Sequence, residues 1–100
     1  MTEPFHLLFV CTANICRSLY AEGRALQLLP SDSPITVSSA GTHGFTDHPL
    51  DADMAACLLA HGPQAPLRSR RLDSGILSEA DLVLTAESAH RNFIVEEWPT

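Results

Sequence analysis

Two short apolar runs flank a longer amphipathic segment in the first part of the chain. Residues 5–10 are largely apolar and lack helical polarity, which predicts a buried strand. In residues 17–29 the apolar positions recur at helical spacing until Pro30. Residues 35–38 are rich in β-branched side chains and predict a second strand that ends at Ala40 and Gly41. Strand, helix, strand in this order predicts a βαβ unit with parallel strands and a right-handed crossover.

The second half of the chain continues this alternation. Asp51 or Asp53 is placed to cap a helix that ends at Gly62 and Pro63. Residues 82–85 predict a third strand, and residues 87–97 predict a helix stopped by Pro99. We therefore expect residues 1–100 to form a single α/β domain with three layers, an open parallel sheet and helices on both faces. In such a sheet, ligands bind beyond the carboxyl ends of the strands.

Composition narrows the partners of this domain. The chain has 100 residues, of which 45% are hydrophobic, and a net charge of −6, which argues against a nucleic-acid or membrane surface. The basic cluster Arg68, Arg70 and Arg71 is expected to be a solvated face or the rim of an anion site. Because the sequence shows neither a long apolar run nor a charged leader, we expect a cytoplasmic protein.

The cysteines favour thiol chemistry. Cys11, Cys16 and Cys57 are odd in number, so they cannot all pair within the chain. Cys11 and Cys16 do not have zinc-site spacing, the histidines are scattered, and no metal or other cofactor is predicted. Cys57 lies in an Ala/Leu helical pattern and is expected to be a core residue.

The segment from Cys11 to Ser18 joins the first predicted strand to the first predicted helix. A free cysteine has a pKa of about 8.5, so a nucleophilic one needs its thiolate stabilised. The helix N-terminus, the Arg17 guanidinium and the Ser18 hydroxyl are all available for this within one loop.

The backbone of the same loop suits an anion. If it curls around a centre, its N–H groups form an anion-binding nest contributed by Thr12, Ala13, Asn14, Ile15 and Cys16. Arg17 adds a planar fork that fits phosphate better than a carboxylate, and Asn14 tolerates a left-handed backbone. The alternative is that Cys11 and Cys16 are merely small buried side chains, which leaves their spacing to Arg17 and Ser18 unexplained.

Residues 10–22 resemble the N-terminal signature of the low-molecular-weight protein tyrosine phosphatases, approximately V-C-x-G-N-x-C-R-S-P-x-A-E. Ala13 stands where glycine is usual and Leu19 where proline is usual. Residues 37–42 and 81–85 are similar to the family's second and third strands, so the resemblance covers nearly the whole chain. It implies the phosphotyrosine phosphatase I-like fold. Ala13 is expected to strain the loop if its position needs a positive φ.

The resemblance also implies a mechanism. The Cys11 thiolate would attack phosphorus in phosphotyrosine or a small aryl phosphate, and water would hydrolyse the resulting phosphocysteine. Arg17 and the loop N–H groups would hold the equatorial oxygens without a metal, and would also bind inorganic phosphate or other oxyanions. Cys16 would be a redox partner that forms a reversible disulfide with Cys11.

Further roles in the loop's support follow from the same resemblance. Ser39 would join Asn14 and Ser18 in the hydrogen-bond network that shapes the loop. A histidine that the family places near a Ser-Arg pair is Leu67 in this chain, so that branch of the network is expected to be missing.

No residue of this chain matches the general acid of the family. Family members protonate the leaving oxygen with an aspartate in an Asp-Pro loop near their C-terminus. No aspartate here precedes proline, the six being Asp32, Asp47, Asp51, Asp53, Asp73 and Asp81. We therefore expect the N-terminal part of a longer phosphatase, without the fourth strand, the terminal helix or the acid, and with weak or no turnover. Asp47 or Asp51 is an available substitute, although loop and N-cap roles suit them better.

Other functions remain open at this stage. A pseudophosphatase would bind phosphate or phosphotyrosine without hydrolysis. A thiol-dependent arsenate reductase shares the fold and loop but needs a close pair of later thiols, and only Cys57 follows. Tyr20 and Phe45 either line an aromatic cleft or belong to the core.

Overall fold

The computed structural model describes residues 4–64 and 66–99. Their sheet has three strands, β1 (Phe5–Cys11), β2 (Ile35–Gly41) and β3 (Leu82–Thr85), in the order β2-β1-β3. Both pairings are parallel, with Cys11 opposite Gly41 at the end of β2 and Val10 opposite Thr85 at the end of β3. The predicted parallel sheet is confirmed, and the carboxyl ends of its strands meet at one edge.

Four helices complete the described structure, namely α1 (Arg17–Leu28), α2 (Ala52–His61), α3 (Ser74–Glu79) and α4 (Ser88–Glu97). The three predicted helices are confirmed with small shifts at their ends. Asp51, rather than Asp53, caps α2 by accepting a hydrogen bond from the Met54 N–H at 3.3 Å. The sequence did not predict α3, a six-residue helix capped by Asp73.

Apolar side chains form two clusters that fix the helices around the sheet. One contains Leu8, Val10, Ala40 and Leu72, packed against apolar residues of α3 and α4. The other lies between α1 and α2 and contains Leu19, Leu50, Leu58 and Leu67. Helix α1 also packs on β1 and β2. The predicted three-layer arrangement is therefore confirmed.

The prediction that Cys57 belongs to the core is wrong. Its neighbour Leu58 is fully buried, whereas Cys57 is exposed on the outer face of α2. Successive residues of a helix are turned by about 100°, so the stripe that buries Met54, Ala55 and Leu58 leaves Cys57 in solvent. An Ala/Leu-rich helix offers too weak a pattern to fix its buried face.

Candidate active site

The loop between β1 and α1 begins at Cys11, the last residue of β1, and ends at Arg17, the first of α1. Its one left-handed residue in the described structure is Asn14, with φ of 60°. Ala13 has a negative φ. The strain expected at Ala13 is therefore absent, because the positive φ falls on the asparagine, which accepts it at low cost.

Hydrogen bonds turn the loop's N–H groups inward. The Cys11 carbonyl accepts from the Thr42 N–H at 2.9 Å, and the Thr12 carbonyl accepts from the His43 N–H at 2.8 Å. The Ile15 carbonyl accepts from the Asp51 N–H at 2.7 Å. In a planar trans peptide the C=O and the following N–H point in opposite directions. Tying these carbonyls outward therefore directs the next N–H groups toward the centre of the loop, which is the geometry of an anion nest.

A relay of hydrogen bonds ends at the Cys11 sulfur. The Arg70 N–H donates to Asn14 Oδ1 at 2.9 Å, and this fixes the orientation of the fully buried Asn14 amide. Asn14 Nδ2 donates to Ser18 Oγ at 2.7 Å. The Ser18 hydroxyl lies 2.9 Å from Cys11 Sγ, and its own proton is available to that sulfur because its oxygen accepts from Asn14. The Asn14 N–H also donates to Cys11 Sγ, at 3.3 Å. The Ser18 hydroxyl and the Asn14 N–H thus both contact one buried sulfur.

Arg17 lies in solvent at the other end of the loop. Its Nη1 is 3.7 Å from Glu87 Oε2, and both side chains are at least half exposed. An exposed ion pair of this kind contributes about 0–1 kcal/mol. Arg17 can therefore exchange Glu87 for an incoming anion at small cost.

Ser39 bonds differently from the role that the family resemblance implied. Its hydroxyl donates to Glu22 Oε1 at 2.6 Å, rather than to Asn14 or Ser18. The Ser39 carbonyl accepts from Arg70 Nε at 2.8 Å, so Ser39 reaches the loop through Arg70. Burial raises the pKa of Glu22, while the Ser39 hydrogen bond and the charges of Arg70 and His6 oppose that rise.

Leu67 packs in the cluster between α1 and α2 and takes no part in this network. The backbone of Arg70, three residues further along the chain, supplies the donor to Asn14. The polar support of the loop is thus completed by a main-chain group that no side-chain motif reveals.

Sequence reasoning missed two residues beside the loop. His90 is 4% exposed, and its Nε2 lies 2.8 Å from Thr12 Oγ1. Glu87 and His90 form a reciprocal capping box at the start of α4. The signal that could have found them is Glu-x-x-His at the beginning of a predicted helix, a variant of the usual capping-box pattern.

The other residues that the sequence suggested for the site make the following contacts. Tyr20 packs against the cluster between α1 and α2, whereas Phe45 is 52% exposed beside the His48 ring. Asp47 pairs with Arg68 at 3.1 Å, and Asp51 caps α2. Cys16, at the N-cap of α1, is a partly buried free thiol. In residues 4–64 and 66–99 no three His, Cys, Asp or Glu side chains group as metal ligands.

Comparisons with known proteins identify relatives of the whole arrangement. A family model described as low molecular weight phosphotyrosine protein phosphatase matches residues 6–99. The low molecular weight protein-tyrosine-phosphatase Etp of Escherichia coli K12 is 39% identical over 85 residues, which cover 84% of this chain and 55% of that protein. The phosphatase Ptp of Acinetobacter johnsonii is 32% identical, with coverage of 94% and 65%.

A solved structure agrees with this match. The YwlE arginine phosphatase of Geobacillus stearothermophilus superposes with a TM-score of 0.86 at 33% identity, and covers 96% of this chain and 61% of that one. The chain therefore spans a little over half to about two thirds of the length of these relatives.

In the described residues no helix is long and apolar enough to cross a membrane.

Proposed function

Because the chain belongs to the low molecular weight phosphotyrosine protein phosphatase family, we propose that it binds phosphate monoesters in the loop between β1 and α1 and cleaves them through Cys11. The observation that carries this proposal is the relay from Arg70 through Asn14 and Ser18 to the Cys11 sulfur. That sulfur lies in a loop whose N–H groups are turned inward. A structural cysteine needs neither feature.

In the proposed reaction the Cys11 thiolate attacks phosphorus, and the leaving oxygen departs with the electron pair of the P–O bond. The nest and Arg17 hold the three equatorial oxygens as charge builds on them. Water then attacks the phosphocysteine, which releases inorganic phosphate and returns the thiolate. In that second step the Ser18 hydroxyl, 2.9 Å from Cys11 Sγ, donates its proton in a hydrogen bond to the departing sulfur.

We expect this chain to cleave aryl phosphates, above all phosphotyrosine, faster than alkyl phosphates. Asp47 and Asp51 are held by Arg68 and by the N-terminus of α2, so neither is offered as the proton donor. A positioned general acid contributes about 10²–10⁴-fold. A phenol, with a pKa of about 10, leaves as the anion more readily than an alkyl alcohol. Slow turnover that favours aryl over alkyl esters is therefore expected of these 100 residues.

Phosphoarginine is a second candidate substrate. The observation that favours it is the superposition with the YwlE arginine phosphatase, at a TM-score of 0.86. The same nucleophile and nest would serve, with a P–N bond broken in place of a P–O bond. Binding of phosphotyrosine or phosphate without turnover is the remaining alternative.

Free thiols and net negative charge suit a cytoplasmic protein that acts on phosphoproteins rather than on nucleic acid or membranes.

Release of phosphate from p-nitrophenyl phosphate, a phosphotyrosine peptide, a phosphoserine peptide and phosphoarginine tests the proposal. We expect the two aryl esters to be cleaved, the alkyl ester to be cleaved at least about tenfold more slowly, and Cys11→Ser to be inactive. Cys57→Ser is the matched control, because it removes an exposed thiol on α2. Equal activity in Cys11→Ser would refute the mechanism. Preference for phosphoarginine would select the second substrate, and phosphate binding without release would select the binding role.

A further inference from the structure

The N-terminus of α4 contacts the loop through a buried histidine. His90 Nε2 lies 2.8 Å from the hydroxyl of Thr12, the residue that follows the nucleophile. His90 is 4% exposed, whereas Thr12 is exposed. A buried imidazole that bonds the side chain of an exposed loop residue fixes that residue more firmly than solvent does.

The direction of this hydrogen bond follows from the other ring nitrogen. The Glu87 N–H donates to His90 Nδ1 at 3.3 Å, so Nδ1 carries no proton. The neutral ring then has its proton on Nε2 and donates it to Thr12 Oγ1. The Thr12 hydroxyl proton stays free for a further acceptor, such as an oxygen of a bound anion.

The same capping box also reaches the far end of the loop. The Glu87 side chain accepts from the N-terminal backbone of α4, and its Oε2 lies 3.7 Å from Arg17 Nη1. One helix terminus therefore holds both Thr12, at the start of the loop, and Arg17, at its end.

We propose that His90 is a positioning residue for the loop between β1 and α1, joining the capped N-terminus of α4 to Thr12 and thereby holding the loop in its anion-binding shape. The consequence for catalysis rests on the proposed function, whereas the consequence for the reactivity of Cys11 does not.

This role requires the neutral imidazole. Burial lowers the pKa of His90, and the charges of Arg17 on α1 and His43 after β2 lower it further, while Glu87 opposes them. If His90 is protonated, an Nδ1–H faces the Glu87 N–H and the cap is lost. Anion binding is therefore expected to weaken on acidification, by more than the titration of the anion itself explains.

The experiment measures alkylation of Cys11 by iodoacetamide, resolved from Cys16 and Cys57 by mass spectrometry, and its protection by inorganic phosphate. His90→Phe fills the same space but can neither accept from Glu87 nor donate to Thr12. His90→Gln keeps one acceptor and one donor. Thr12→Val removes the same hydrogen bond by changing its exposed partner. It therefore tests the role of His90 even if His90→Phe does not fold.

We expect His90→Phe and Thr12→Val each to raise the phosphate concentration for half protection by about threefold to tenfold. The double variant should need no higher a phosphate concentration than the single variants do. His90→Gln should stay within about twofold of the wild type. Because burial lowers the pKa of His90, protection of the wild type is expected to weaken on acidification only below the ordinary histidine pKa of about 6.5, and to weaken there more than protection of His90→Gln. Unchanged protection and alkylation in Thr12→Val, or additive effects, would overturn the role of His90.

A wild type without phosphate protection would instead contradict the proposed function. In that case the rates of Cys11 alkylation measured without phosphate still test the positioning role of His90. A slower rate in Thr12→Val that His90→Gln does not share would support the role, and equal rates would refute it.

Discussion

At the scale of single residues, the amide of Asn14 decides which way the hydrogen bonds of the loop run. It accepts from Arg70 through Oδ1 and donates to Ser18 through Nδ2, so the Ser18 proton is left for the Cys11 sulfur. A carboxylate at position 14 would still accept from Arg70. It would, however, accept from the Ser18 hydroxyl as well, and so turn that proton away from Cys11.

Asn14→Asp is therefore expected to fold, because aspartate also tolerates a left-handed backbone, but to slow alkylation of Cys11 at pH 7 by about tenfold or more. Ser18→Ala removes the same donor, so adding Asn14→Asp to it should cost much less than Asn14→Asp costs alone. Rates measured with iodoacetamide test this. An unchanged rate in Asn14→Asp, or full additivity with Ser18→Ala, would refute the relay.

The sequence predicted this site only as far as local spacing carries information. The order of thiol, arginine and serine placed Cys11, Arg17 and Ser18 in one turn, and Asn14 has a left-handed backbone, which asparagine tolerates. The donor to Asn14 comes from a backbone N–H 56 residues away. The partner of Ser39 proved to be Glu22. Such contacts depend on how β2 and residues 67–72 pack, which no local pattern encodes.

At the scale of elements, the end of β2 lies directly under the loop. A Cβ at Gly41 would be 2.6 Å from the Thr12 carbonyl oxygen and 2.8 Å from the Ala13 carbonyl carbon. Both are backbone atoms and cannot move aside alone. Only glycine therefore lets β2 approach the loop this closely.

Gly41→Ala is expected to lower the free energy of unfolding by about 1–3 kcal/mol and to abolish phosphate protection of Cys11, because relief of the clash moves the loop. Chemical denaturation and the alkylation assay measure the two effects. Gly75→Ala is the control, since a Cβ there lies no closer than 3.3 Å to the Asp73 side chain, at the start of α3 and outside the loop. Equal denaturation midpoints for wild type and Gly41→Ala would contradict this account of β2.

Element prediction succeeded where periodicity was long and failed where it was short or ambiguous. Helix α1 has an apolar stripe over three turns and was predicted to within a residue, while α3, with six residues, is too short to show one. The buried face of α2 was misjudged at Cys57 because alanine, cysteine and leucine alternate without clear polarity.

At the scale of the whole molecule, two apolar layers hold a three-stranded sheet whose strand ends converge on one loop. In the described part of the chain, β3 pairs with β1 alone, and Leu82 and Leu84 on this edge strand are 46% and 45% exposed. Cys11, the nest and Arg17 all lie in β1, in α1 or in the loop that joins them. The residues proposed to bind and cleave phosphate esters thus lie in the part of the fold that local sequence predicts best.

The proposed mechanism requires that Cys11 carries the phosphoryl group during turnover. It is tested most directly by mixing the chain with p-nitrophenyl phosphate, quenching in acid, and locating the phosphoryl group by mass spectrometry. We expect phosphorylated Cys11 in the wild type and in Cys57→Ser, and none in a sample alkylated at Cys11 beforehand. A phosphoryl group on another residue, or phosphate release with Cys11 blocked, would contradict it.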